Sequence, residues 1–176
     1  ILIIGGSGLL ALNWALTVRD KNEVTLLLHR RKISMYGVNT DSVSMGSLDD
    51  CLFALDKHKP DIVINTAGLT SVEECEAQQD LAQEVNIDLA KNLSVACCNR
   101  QIKLVHISTD HLFSGNQALT SEDGVPAPMN SYAKSKLEGE NKVQESCKDA
   151  LIIRTNFFGW GLNYRESFSD SIINKL

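Results

Sequence analysis

The first eleven residues constrain the fold most. Ile1-Leu2-Ile3-Ile4 is an apolar run, and Gly5-Gly6-Ser7-Gly8-Leu9-Leu10-Ala11 follows it at once. A continuous apolar run suits a parallel strand covered on both faces. A glycine turn directly behind it opens onto a helical apolar stripe of Leu9, Leu12, Ala15 and Leu16. Strand, tight turn and helix in that order make a cradle for a dinucleotide pyrophosphate. Gly5 permits the turn, and Gly8 lets backbone approach the phosphates. Ala11 stands where a third small residue allows close helix–strand packing. The helix start, with Ser7, Leu9 and Leu10, offers free N–H groups and the positive end of the helix dipole. The plain alternative is a turn with a structural role only.

The rest of the chain repeats the strand–helix alternation. Strands are predicted at Ile1–Ile4, Val24–Leu28, Val43–Met45, Asp61–Asn65, Lys103–Ser108 and Ala150–Arg154. Helices are predicted at Gly8–Arg19, Leu48–His58, Ser71–Gln79, Leu81–Arg100, Ser131–Cys147 and Phe168–Lys175. Ser71 with Glu74 suits a capping box. Regular βαβ units predict an α/β fold: a doubly wound parallel sheet with helices on both faces, in one domain over residues 1–176. Residues 115 to 130 form the longest irregular stretch, with Pro126 and Pro128. It reads equally as a lid over a site or as a surface connection.

Composition removes several function classes. The 176 residues carry 17 basic and 22 acidic side chains, a formal charge of -5, which argues against nucleic-acid or anionic-membrane binding. No apolar run approaches the roughly 20 residues that span a bilayer. The five cysteines include no C-x-x-C pair, and Cys97 and Cys98 are adjacent, as expected of reduced thiols in a cytoplasmic protein. The four histidines lack metal-ligand spacing, so no metal is expected. The chain opens on a strand without Met and stops in a helical pattern at Leu176, so it reads as a fragment of a longer protein.

After the second strand comes His29-Arg30-Arg31-Lys32. An Asp or Glu in that region would hold the ribose hydroxyl of NAD. Guanidinium groups instead grip a 2′-phosphate, so Arg30 and Arg31 favour NADP(H), with NAD(H) less favoured. A solvated basic turn is the alternative.

The second chemical signal is Ser131-Tyr132-Ala133-Lys134-Ser135-Lys136. Tyr132 and Lys136 are four apart, hence on one helix face. A phenol with an ordinary pKa near 10 is a poor acid/base at neutral pH, and an adjacent ammonium lowers that pKa. Such a pair serves as a general acid/base. The same spacing also arises by accident on solvated helices. Together with the glycine turn it points to redox chemistry on a nicotinamide cofactor.

These segments resemble the extended short-chain dehydrogenase/reductases, in particular the dTDP-4-dehydrorhamnose reductase group. The resemblance rests on Gly5-x-x-Gly8-x-x-Ala11, on Pro60-Asp61-Ile62-Val63-Ile64-Asn65-Thr66-Ala67-Gly68, and on Ile107-Ser108-Thr109-Asp110-His111-Leu112-Phe113. It extends through Pro128 to Glu140, and through Arg154-Thr155 with Phe158-Gly159. It implies NADPH-dependent reduction of a nucleotide-linked 4-keto-6-deoxy sugar. Tyr132 would be the proton donor, Thr109 the hydroxyl that polarises the carbonyl, and Lys136 the ribose-binding cation that lowers the Tyr132 pKa. Ala67, Gly68 and Thr70 would line the cofactor. Asn86 holds the position whose Asn supports a proton relay in many relatives, or is a plain polar helix residue. The group's C-terminal substrate-binding region would lie beyond Leu176, and a homodimer is left open. Ser44-Met45 replaces the acidic residue usual near the adenine. His111 replaces a common Tyr, either touching substrate or as an ordinary part-buried loop residue, and His106 is expected to be a satisfied core residue. Two rivals stand beside this reading. One is a nucleotide-sugar epimerase or dehydratase with tightly bound NAD. The other is a non-catalytic NADP-binding regulatory subunit similar to methionine adenosyltransferase β.

Overall fold

The structure, a computed structural model, describes every residue except 117, 161, 163, 165 and 176. The end of the helical pattern at Leu176 therefore lies outside the described residues. Six strands form one parallel sheet: β1 (Leu2–Ile4), β2 (Thr25–Leu28), β3 (Asn39–Ser42), β4 (Ile62–Asn65), β5 (Lys103–Ser108) and β6 (Leu151–Arg154). Their order is β3-β2-β1-β4-β5-β6. That is the doubly wound dinucleotide-binding order, and its direction reverses between β1 and β4. Loops leaving those two strands part to opposite faces, so a crevice opens at their carboxyl ends.

Side-chain alternation along the strands sorts the core into two layers. Leu2, Ile4, Leu27, Val63 and Leu104 point to one face. There they meet α2 (Leu48–His58), α5 (Leu89–Asn99) and α6 (Ser131–Ser146) through Leu55, Leu93 and Val143. Ile3, Leu26, Leu28, Ile64 and Ile107 point to the other face, against Ala11, Leu12 and Ala15 of α1 (Leu9–Val18). Cys51 and Cys97 are core residues, and burial pushes both thiols up to about 12. No helix among the described residues is long and apolar enough to cross a membrane.

Two expectations need correction. The third strand is Asn39–Ser42, not Val43–Met45. It is a polar edge strand paired only with β2, so no apolar run betrays it. Val43 and Met45 instead pack on the core as the chain turns towards α2. The single long helix expected over Leu81–Arg100 is three pieces: α4 (Gln79–Ala82), a π-helical segment (Gln83–Asp88) and α5. The remaining helices are α3 (Val72–Ala77) and α7 (Phe168–Ile173), with a 3-10 turn at Asp110–Leu112. Ser71 caps α3 by accepting from the Glu74 N–H, while its hydroxyl donates to Glu73, so the expected reciprocal box is half formed.

Candidate active site

The glycine turn closes the carboxyl end of β1. Gly5 has φ +80°, and a Cβ there would lie 2.8 Å from the Ala67 nitrogen. Both facts require glycine, since L side chains avoid that backbone region. The two strands at the switch point are also tied directly: the Thr66 N–H and hydroxyl donate to the Ile4 carbonyl at 3.1 and 2.7 Å. Gly6 has a role the sequence did not announce. Its N–H donates to the Leu27 carbonyl at 2.9 Å, and a Cβ there would press on Leu26. Helices α2, α3, α6 and α7 are capped by Ser47, Ser71, Asn130 and Ser167. Helix α1 has Gly8 at its N-cap, with no side-chain cap and no acidic residue in its first turn. Its first N–H groups, at Leu9 and Leu10, keep their donors for a ligand. This fits a dinucleotide pyrophosphate.

Arg30 and Arg31 are exposed just past β2. The Arg31 guanidinium lies over the Tyr164 ring, 3.8 Å from its centre. The Tyr164 hydroxyl donates to the Ser7 carbonyl at 2.9 Å. A residue far along the chain thus joins the basic turn to the glycine turn. No sequence pattern marks it.

Tyr132, Lys136 and Thr109 meet at the carboxyl end of β5. Asn130 caps α6 by accepting from the Ala133 N–H at 2.8 Å, and Glu76 of α3 accepts from the Ser131 N–H and hydroxyl at 2.8 and 2.7 Å. These contacts fix the helix start that carries Tyr132. Tyr132, Thr109 and Lys136 are 9%, 5% and 4% exposed. Lys136 Nζ donates to the Ile107 carbonyl at 2.7 Å, and burial lowers its pKa to about 8 against the pull of Glu140. Burial raises the Tyr132 pKa, while the neighbouring Thr109 hydroxyl draws it down. The expected lowering by Lys136 is therefore not what this geometry produces: desolvation of the phenolate dominates, and the Lys136 ammonium is directed at a backbone carbonyl. Gly68 lies above the same ammonium, since a Cβ there would stand 4.0 Å from Lys136 Nζ and 3.9 Å from the Thr70 methyl. Ala67, Gly68 and Thr70 accordingly follow β4 along one side of the crevice.

Asn86 sits in the π-helical segment, 1% exposed. Its carbonyl accepts from the Leu69 N–H at 2.8 Å, and its amide donates to the Leu69 carbonyl and the Ser135 hydroxyl at 3.1 and 2.9 Å. It clamps the loop after β4 to α6. π-bulges concentrate at functional positions, and this one aims Asn86 inward. His111 is not an ordinary part-buried loop residue. It is exposed, its ring meets the Tyr132 ring edge-on at 5.8 Å, and its backbone N–H donates to the Thr109 hydroxyl at 3.2 Å. His106 is buried but only half satisfied. Asn65 donates to its Nδ1 at 3.1 Å, which leaves Nε2 as the protonated nitrogen without a partner among the described residues. Burial, reinforced by Lys136, holds its pKa down to about 3. Beside this cluster, a cavity of about 640 Å³ opens at the ends of β5 and β6, lined by Asp110, Phe113, Glu122 and Arg154.

Comparison with known proteins decides the family. Residues 1–176 match the RmlD substrate binding domain family. The chain belongs to that family. It is 31% identical over 156 residues to a probable low-salt glycan biosynthesis reductase of Haloferax volcanii, covering 88% of this chain and 52% of the relative. A dTDP-4-keto-6-deoxy-D-glucose reductase of Streptomyces niveus is also 31% identical over 156 residues, covering 88% and 51%. The crystal structure of dTDP-4-dehydrorhamnose reductase from Bacillus anthracis, in complex with NADP, superposes with a TM-score of 0.75 at 27% identity. That match covers 99% of this chain and 58% of the other. The chain thus spans about half the length of the curated relatives it matches.

Proposed function

We propose that residues 1–176 form the NAD(P)-binding domain of an NADPH-dependent reductase of nucleotide-linked 4-keto-6-deoxy sugars. The observation that carries this reading is the meeting of the Thr109 hydroxyl, the Tyr132 phenol and the Lys136 ammonium beside the sheet's switch point. The reductase names of the relatives support it. The relatives are about twice as long, and a substrate-binding region outside these residues is part of the proposal.

NADPH, when bound, supplies the hydride. The chain's residues then do the following. Gly5, Ser7, Gly8, Leu9 and Leu10 present backbone to the pyrophosphate, and Arg30 and Arg31 read the 2′-phosphate. Lys136 holds the ribose, with Ala67, Gly68 and Thr70 lining the same crevice. Thr109 donates to the sugar's carbonyl oxygen and polarises it. Tyr132 transfers its proton to that oxygen as negative charge develops there. A raised pKa keeps the phenol protonated at neutral pH, which is the form a donor needs. The 640 Å³ cavity is of a size that takes a small ligand.

The test is NADPH oxidation by the complete polypeptide with a panel of nucleotide-linked 4-keto-6-deoxy sugars, NADH serving as control. Turnover with one sugar, faster with NADPH, is expected. Tight NADPH binding without turnover on any would favour the regulatory-subunit reading. Copurified NAD would favour an epimerase or dehydratase.

A further inference from the structure

Tyr132, Lys136 and Glu140 stand at successive four-residue steps along α6, on one buried face. The proposed chemistry uses the first two and leaves Glu140, 3% exposed, without a role. Burying a carboxylate costs several kcal/mol unless it is well paired, and an apolar contact would join α6 to β6 without that cost. Here the pairing is complete. Arg154, at the end of β6, places Nε 3.1 Å from both carboxylate oxygens and Nη2 2.8 Å from Oε2. Its remaining arm donates from Nη1 to the Glu122 carbonyl at 2.9 Å, in the irregular stretch leading to α6.

The groups around Lys136 leave Glu140 as its anion. On α6, Tyr132 is a neutral phenol. On β5, His106 is neutral because burial holds its pKa near 3, and the Ile107 carbonyl is already bonded to Nζ. From the loop after β4 and the π-helical segment come Gly68 and the Asn86 amide, both uncharged. Asp110, past the end of β5, is exposed and acts on Tyr132. Burial drives Lys136 towards its neutral form, and the Glu140 carboxylate opposes this.

We propose that Glu140, gripped by the Arg154 fork, is a positioning residue: its carboxylate, one helical turn along the same buried face of α6, keeps the Lys136 ammonium charged at its place beside the Ile107 carbonyl. The proposal rests on Lys136 acting in NADPH-dependent reduction. It is tested on the full chain by following the ¹³Cε resonance of Lys136 through a pH titration, assigned by its loss in Lys136→Arg. In Glu140→Gln the Lys136 midpoint is expected to fall by about one pH unit or more, as removal of a nearby opposite charge produces. The alkaline limb of kcat moves with it, a loss of about fivefold at pH 8 for a one-unit shift, recovered towards pH 6. Should Glu140→Gln not fold, the double variant Glu140→Gln/Arg154→Met removes both buried charges and leaves neither unpaired, and a smaller fall in the same direction is expected, because loss of the Arg154 cation partly offsets loss of the carboxylate. An unchanged Lys136 midpoint, with or without a uniform loss of turnover, overturns the proposal. Absence of turnover in the native protein would count against the reductase reading, while the Lys136 midpoint still decides the role of Glu140.

Discussion

Arg31 shows what sequence spacing reveals at the scale of one residue and what it hides. Its place after β2 makes it a candidate reader of a 2′-phosphate, and that much is visible in the chain alone. Its contact with Tyr164, which also ties down Ser7, is not, because the partner lies more than a hundred residues away in a stretch without periodicity. His111 escaped for the same reason: its edge-on contact with Tyr132 depends on how the turn after β5 meets α6. Replacing both Arg30 and Arg31 with Ala is expected to weaken NADPH by about 2 kcal/mol, the scale of a hydrogen bond to a charged group, and NADH far less. Fluorescence titration with both cofactors checks this, and equal weakening would show that the turn does not read the 2′-phosphate. At Gly5 the demand is steric. Gly5→Ala would place a methyl group against Ala67 in a left-handed backbone, and a loss of about 1–3 kcal/mol in urea unfolding is expected.

Elements were legible where apolar periodicity is strong. Strand β5 and helix α2 have their expected limits, because each is a clean buried run or an amphipathic stripe with clear ends. Strand β3 was not legible: Asn39-Thr40-Asp41-Ser42 has no apolar face, and only pairing with β2 makes it a strand. The π-helical segment was hidden because one extra residue per turn barely alters a helical pattern. Its consequence is local and measurable. A Cβ at Gly139 on α6 would collide with the Asn86 backbone carbonyl, so glycine there lets the two helices approach. Gly139→Ala is expected to cost about 1–3 kcal/mol in urea unfolding, as overpacking of a tight contact does. A stability equal to the native protein's would mean that the π-helical segment shifts freely.

Across the whole molecule, the buried groups of the candidate site link folding to pH. His106 titrates near 6.5 when unfolded, but is held to about 3 in the folded sheet. Between those values the unfolded chain binds a proton that the folded chain refuses, so this group lowers stability as pH falls from about 6.5 towards 3. Unfolding free energies at pH 7 and pH 4.5 should therefore converge more closely in His106→Gln than in the native protein. An equal decline in both would assign the acid sensitivity to other groups. The doubly wound sheet was readable from the strand–helix alternation, and with it the crevice at the carboxyl ends of β1 and β4. The central claim is that this crevice binds NADPH while Tyr132 protonates the substrate. Its most direct measurement pairs NADPH affinity with NADPH oxidation in the native protein and in Tyr132→Phe. In Tyr132→Phe, affinity is expected to stay within about twofold and turnover to fall by about 10² or more, the usual contribution of a positioned acid. Undiminished turnover in Tyr132→Phe would contradict the claim.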